Sequence, residues 1–199
     1  MMESRTPSRE EAWELLCEYT QSDSLRKHAR AVEEVMRAYA RQHGEDEELW
    51  GITGLLHDFD YERHPDPAEH TVAGGRVLAE RGYPAEMIHA IQAHNPANGL
   101  GLKRDALLDK VLFASDELTG FIFAVALVRP SKAVREVTPK SVKKKLKDKR
   151  FAASVNREEV RQGMEELGVE PDEHIRFLVA ALTGIDTEIG LAGTPPEPA

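Results

Sequence analysis

The stretch GLLHDFDYE, residues 54–62, sets an adjacent imidazole and carboxylate, His57 and Asp58, directly behind a run with the character of a buried core. Such a pair either caps a helix and faces water, or is held in place to bind something. Upstream, Leu49, Ile52, Leu55 and Leu56 recur at helical spacing, which predicts a helix from about Asp46 to His57. Downstream, YERHPDPAEH (61–70) contains Pro65 and Pro67 and cannot continue a helix, so it is read as a loop.

The same pattern extends in both directions. Ser8 with Glu11 forms a capping-box signature ahead of WELLCEY, and Ser24 opens a longer helix whose stripe Leu25, Ala29, Val32, Val35, Met36 and Tyr39 ends at Gly44. After the proline loop a helix is expected from Glu69 or His70 to Gly82, and another from Pro84 towards His94. A long apolar pattern then runs from Asp105 to Val128 and stops at Pro130. Shorter helices are expected over 141–147 and 156–167, with a last one from Pro171 to about Gly190. No strand, repeat or interdomain linker is evident. The expectation is an all-α, single-domain helical bundle over 1–192, with a core at 24–128, C-terminal helices at 130–190 and a frayed tail at 193–199.

Composition narrows the function. The 199 residues are 41% hydrophobic and 31% charged, an ordinary globular mix able to bury a core. A net charge of −9 argues against general nucleic-acid binding, because coating a phosphate backbone needs a basic surface. The single cysteine, Cys17, excludes an internal disulfide framework and is read as a buried structural thiol. No apolar segment reaches the ~20 residues that span a bilayer, and the N-terminus has no secretory apolar region. A cytoplasmic protein with no membrane partner is expected.

The histidines carry the strongest signal. His28, His57, His70 and His94 fall at helix ends or beside apolar stripes on four different helices, and Asp116 sits inside the apolar pattern LFASDELTG. A carboxylate there requires a cation, a hydrogen-bond network or an exposed face. A metal site would account for all these groups together, since imidazoles and carboxylates on separate helices can converge in a bundle.

The ordered set, His28 in SLRKHARAVE, the His57–Asp58 pair and Asp116, resembles the HD-domain superfamily of metal-dependent phosphohydrolases. Many members add two histidines between the pair and the last aspartate, and His70 and His94 occupy those positions. The resemblance implies a metal set of His28, His57, Asp58, His70, His94 and Asp116. It would hold one or two divalent transition ions (manganese, iron, nickel, cobalt or zinc), with Asp58 as the bridging ligand. It also implies hydrolysis of a small phosphorylated substrate, such as a nucleotide, through a metal-activated hydroxide. Asp60 is close enough in sequence to orient water or protonate a leaving group. Two departures stand out: Phe59-Asp60 replaces the Ile-Gly of a common subgroup, and Ala93 precedes His94 where cyclic-dinucleotide phosphodiesterases pair two histidines. Both argue against that substrate. Two other readings stay open, a non-catalytic HD-fold module binding a nucleotide or protein, and a di-iron oxygenase.

The other histidines are read as structural or exposed: His43 as solvated, His89 as turned about 140° from His94 by five helical residues, His174 as opening a late helix. His64, in the proline loop, is either exposed or within reach of a substrate. Arg129 and Lys132 are candidate substrate-binding cations. The block KSVKKKLKDKR (140–150) is either a solvated face with Val142 and Leu146 turned inward or a phosphate-attracting rim.

Overall fold

The computed structural model describes residues 5–193, and among them every regular element is a helix. The only β-type pairing within that range is an isolated bridge between Ala133 and Ala192. The fold is all-α. The chain divides into two compact units, up to Phe113 and from Ala114 onward, with the boundary inside one helix. No described helix is long and apolar enough to cross a membrane.

In the first unit, helix α1 (Arg9–Tyr19) starts at the anticipated capping box: the Ser8 hydroxyl accepts from Glu11 N, and the Glu11 carboxylate accepts from Ser8 N. Helix α2 (Asp23–His43) is capped by Ser22 and ends at Gly44 in the left-handed region. Asp46 caps α3 (Glu47–Leu56) by accepting from Glu48 N and Leu49 N. Helices α2 and α3 form the main packing contact of this unit, burying Val32, Val35, Met36, Ile52, Leu55 and Leu56. Each such side chain contributes about 1.5–3 kcal/mol when removed from water. Gly54 permits the contact, because a Cβ there would meet the Val32 carbonyl oxygen and Met36 Cγ at 2.8 Å. Val32 lies one turn beyond His28 and Gly54 one turn before His57, so this close approach sets the spacing of those two histidines.

Helix α4 (Val72–Glu80) begins later than the expected Glu69 or His70. Thr71 has φ 67°, which the helix cannot extend back through, and His70 therefore lies in the preceding turn. Helix α5 (Ala85–Ala93) runs from Pro84 to His94. Helix α6 (Leu107–Leu127) follows and carries the chain across the boundary.

The second unit contains the remainder of α6, then α7 (Pro139–Leu146), α8 (Arg157–Leu167) and α9 (Pro171–Thr183). Its core holds Phe121, Ile122, Val142, Val160, Ile175, Leu178 and Leu182. The last helix stops at Thr183, short of the expected Gly190. Thr183, Gly184, Ile185 and Thr187 are poor helix formers, and the chain turns instead, with Leu191 N donating to Asp186 O at 2.7 Å. From Thr194 on, the tail expected to fray lies outside the described residues. Cys17 is half-buried, because α1 turns it partly outward, rather than the fully buried thiol expected.

Candidate metal centre

Two helix ends in the first unit are built alike. His57 is the C-cap of α3 and His94 the C-cap of α5. The His57 Nδ1 lies 2.7 Å from the Gly54 carbonyl oxygen, and the His94 Nδ1 lies 2.6 Å from that of Ile91, in each case three residues back. A carbonyl can only accept, so Nδ1 carries the proton in both rings. The last turn of a helix leaves carbonyls without backbone partners, and these imidazoles satisfy one apiece. Each ring then presents Nε2 to Asp58, at 3.4 Å from Oδ2 for His57 and 3.3 Å from Oδ1 for His94.

His70 has no helix end of its own to bond. Its Nδ1 donates instead to Asp60 Oδ1 at 2.9 Å, while Nε2 lies 3.0 Å from Asp58 Oδ1. Asp60 is buried and its second oxygen accepts from Thr71 N at 3.0 Å and Gly74 N at 2.8 Å. It thereby caps α4, whose own N-cap residue makes no side-chain bond. A carboxylate at a helix N-terminus is also favoured by the helix dipole. Gly74 makes room for it: a Cβ there would stand 2.8 Å from Asp60 Cγ and Oδ2. Asp60 therefore holds His70 and the start of α4, and is not placed to orient water or protonate a leaving group as expected, because its oxygens are already occupied by three donors.

These contacts gather the groups into two overlapping sets. His28, His57 and Asp58 each offer a ligand atom within 4.8 Å of the others, and so do Asp58, His70 and His94. The His28 and His57 rings stand 5.1 Å apart edge to face, and those of His57 and His94 5.2 Å. Asp58 belongs to both sets, as a bridging carboxylate requires.

The electrostatics favour positive charge at the centre. Burial works against ionising Asp58, but the His57 charge and hydrogen bonds from His57, His70 and His94 hold its carboxyl well below the usual range. Burial also opposes a charge on His70, yet its bonds to Asp58 and Asp60 push it up to about 9. With Nδ1 committed to an acceptor on three rings, an Nε2 without a proton would set its lone pair against the Asp58 oxygens. That arrangement is repulsive unless a proton or a cation lies between them. The donor set fits a divalent metal ion, with each imidazole oriented by an acceptor behind it, as metal-ligating histidines are.

Asp116 lies on α6 in the second unit and is partly buried. Arg129 follows α6 and pairs with Glu136 at 3.6 Å, and Lys132 is exposed in a turn with φ 50°. His89 turns to Asp109 at 3.2 Å, His43 is exposed and stacked on Tyr39, and His64 meets Glu69 at 3.4 Å. His174 is buried and donates through Nε2 to Ala114 O at 3.0 Å. Tyr61, absent from the sequence-based candidates, stands edge-on to His70 at 5.3 Å and is 41% exposed. Its position four residues after His57, at the start of a proline-rich loop, gives no periodic signal.

Fold and site together define a helical domain whose histidines and aspartate fit a metal centre. Residues 25–120 match the family model described as HD domain, in keeping with the resemblance carried by the ordered histidines and aspartates. No curated protein and no solved structure matches it significantly.

Proposed function

We infer that the protein is a metal-dependent phosphohydrolase acting on a small phosphoester. The observation that carries this reading is the tautomer arrangement: three imidazoles commit Nδ1 to fixed acceptors and aim Nε2 at one carboxylate. His57 with His28 would hold one ion and His70 with His94 a second, with Asp58 shared between them. The family's ordered motif also makes Asp116 a candidate ligand. When bound, such ions lower the pKa of water to near neutrality and neutralise charge on a phosphoryl group.

The chain's own contribution is orientation. Gly54 and Ile91 carbonyls and the Asp60 carboxylate fix the rings before any ion arrives, so binding costs little reorganisation. Asp58 keeps 22% of its side-chain surface open, leaving a route for a phosphoryl oxygen to the centre. The deciding experiment is metal analysis of protein purified without chelator or affinity-tag metal, followed by a phosphoester panel assayed with and without oxygen. Hydrolysis independent of oxygen is expected, and it is lost together with the metal in His57→Ala and Asp58→Ala. Turnover requiring oxygen would point to an oxygenase. Metal-free protein that binds nucleotide without turnover would point to a binding module.

A further inference from the structure

We propose that the second unit carries a binding site of its own for a small phosphate ester with an apolar body. The charge distribution is the first observation. Residues 129–150 contain ten lysines and arginines against two acids, in a chain of net charge −9. On α7 and its C-cap Lys147, Lys140, Lys143, Lys144 and Lys147 follow at the i, i+3, i+4 and i+7 spacing that places them side by side, where like charges repel. Lys143 is compensated by Asp172 at 2.6 Å. Val142 turns inward and is fully buried, so the cations form the outer face.

A solvated face would account for that much. It does not account for the cavity beside it. A recess of about 460 Å³ is lined by apolar Val125, Val128 and Pro130 together with Arg129, Ser141, Lys144 and Lys145. That volume falls within the range of small-molecule sites, roughly 300–1,000 Å³. Val128 is 58% exposed and its neighbour Leu127 51%, an apolar surface open to solvent beside the cations. Arg129 reaches Glu136 only at 3.6 Å, and its Nε is buried without a hydrogen-bond partner. Asp148 also lines the recess, and its Oδ1 accepts from Arg150 N at 3.1 Å.

These features select a ligand class. A planar guanidinium and two ammonium groups suit a phosphate, which Arg can bind through two parallel hydrogen bonds. Val125, Val128 and Pro130 add carbon surface to the recess, so the rest of the ligand is held largely by burial. Free phosphate would leave that surface unused, and an extended polyanion would need the charged face but not the recess.

The test is calorimetric titration of the full chain with phenyl phosphate, AMP and inorganic phosphate. The esters are expected to bind saturably and inorganic phosphate at least tenfold more weakly. Lys144→Ala/Lys145→Ala and Arg129→Ala, checked for unchanged helicity, should each weaken ester binding at least tenfold. Lys140→Ala/Lys149→Ala, which removes the same charge outside the recess, should change it less than twofold, and the component of ester binding that Lys144→Ala/Lys145→Ala removes should survive in Asp58→Ala. Three results overturn the proposal. They are no saturable ester binding, equal loss in both lysine pairs, and loss confined to Asp58→Ala, which would put the ester on the metal centre.

Discussion

Replacing Asp60 by asparagine keeps the volume of the side chain and removes one acceptor. Three donors meet this carboxylate: His70 Nδ1 on Oδ1, and Thr71 N and Gly74 N on Oδ2. An amide has only one oxygen, so one side must fail. If the oxygen faces His70, two buried backbone N–H groups lose their acceptor at about 1–3 kcal/mol each. If it faces the backbone, two charge-assisted bonds become neutral ones and the amide NH₂ meets Nδ1. His70 then has to move its proton to Nε2, and Nε2 can no longer ligate. The second arrangement is the cheaper, at about 1–3 kcal/mol in all, or roughly 2–4 °C of melting temperature per kcal/mol for a chain of this size. Its effect on the metal is larger: loss of an acceptor behind a ligating histidine typically lowers affinity 10–100-fold. Metal titration of Asp60→Asn, with nitrogen NMR of the His70 ring to read the tautomer, measures both. Wild-type affinity with the proton still on Nδ1 would refute the reasoning.

Other substitutions test neighbouring parts of the centre. His70→Ala and His94→Ala are each expected to lower metal content from two ions towards one and to depress turnover strongly; unchanged stoichiometry in both, by elemental analysis, would leave a single-ion site. His89→Ala should keep full metal content and activity and lose about 1 kcal/mol or less by denaturant unfolding, since its pair with Asp109 is partly exposed. His174 gives a pH test away from the centre. Burial holds it below the ordinary imidazole value, against the bond it donates to Ala114 O. The unfolded chain therefore binds a proton near pH 6.5 that the folded chain refuses, and stability should fall as pH drops below that point, by at most about 1.4 kcal/mol per pH unit. The difference in unfolding free energy between wild type and His174→Gln across pH 5–8 isolates this slope, and parallel curves would show that His174 is not the group responsible.

The helices were legible because their signals are local. Ser8 with Glu11, Asp46 before an acidic first turn, and Gly44 after the α2 stripe each satisfy a helix end from within a few residues. His57 and His94 were legible in the same way, as imidazoles closing apolar runs. The start of α4 was not, because its cap is Asp60, eleven residues from Thr71 and fourteen from Gly74. The end of α9 was misplaced because apolar Ile185, Ile189 and Leu191 continue the hydrophobic pattern through residues whose propensity breaks it. The role of Asp60 was misread for a related reason. Sequence distance to the His57–Asp58 pair suggested chemistry, whereas burial and three donors make it a support.

The contrast between the three anchored histidines shows why an aspartate stands at position 60. His57 and His94 each close a helix, and a helix end supplies a carbonyl three residues back at no cost in sequence. His70 precedes its helix, and a helix start offers N–H donors, which cannot hold Nδ1–H. An acceptor has to come from elsewhere, and it has to tolerate the positive end of the α4 dipole. A carboxylate meets both conditions, taking the α4 donors on one oxygen and His70 on the other. Its proximity then requires a residue without a Cβ at position 74. Asp60, His70 and Gly74 thus form one unit, in which changing any member alters the direction in which Nε2 of His70 points.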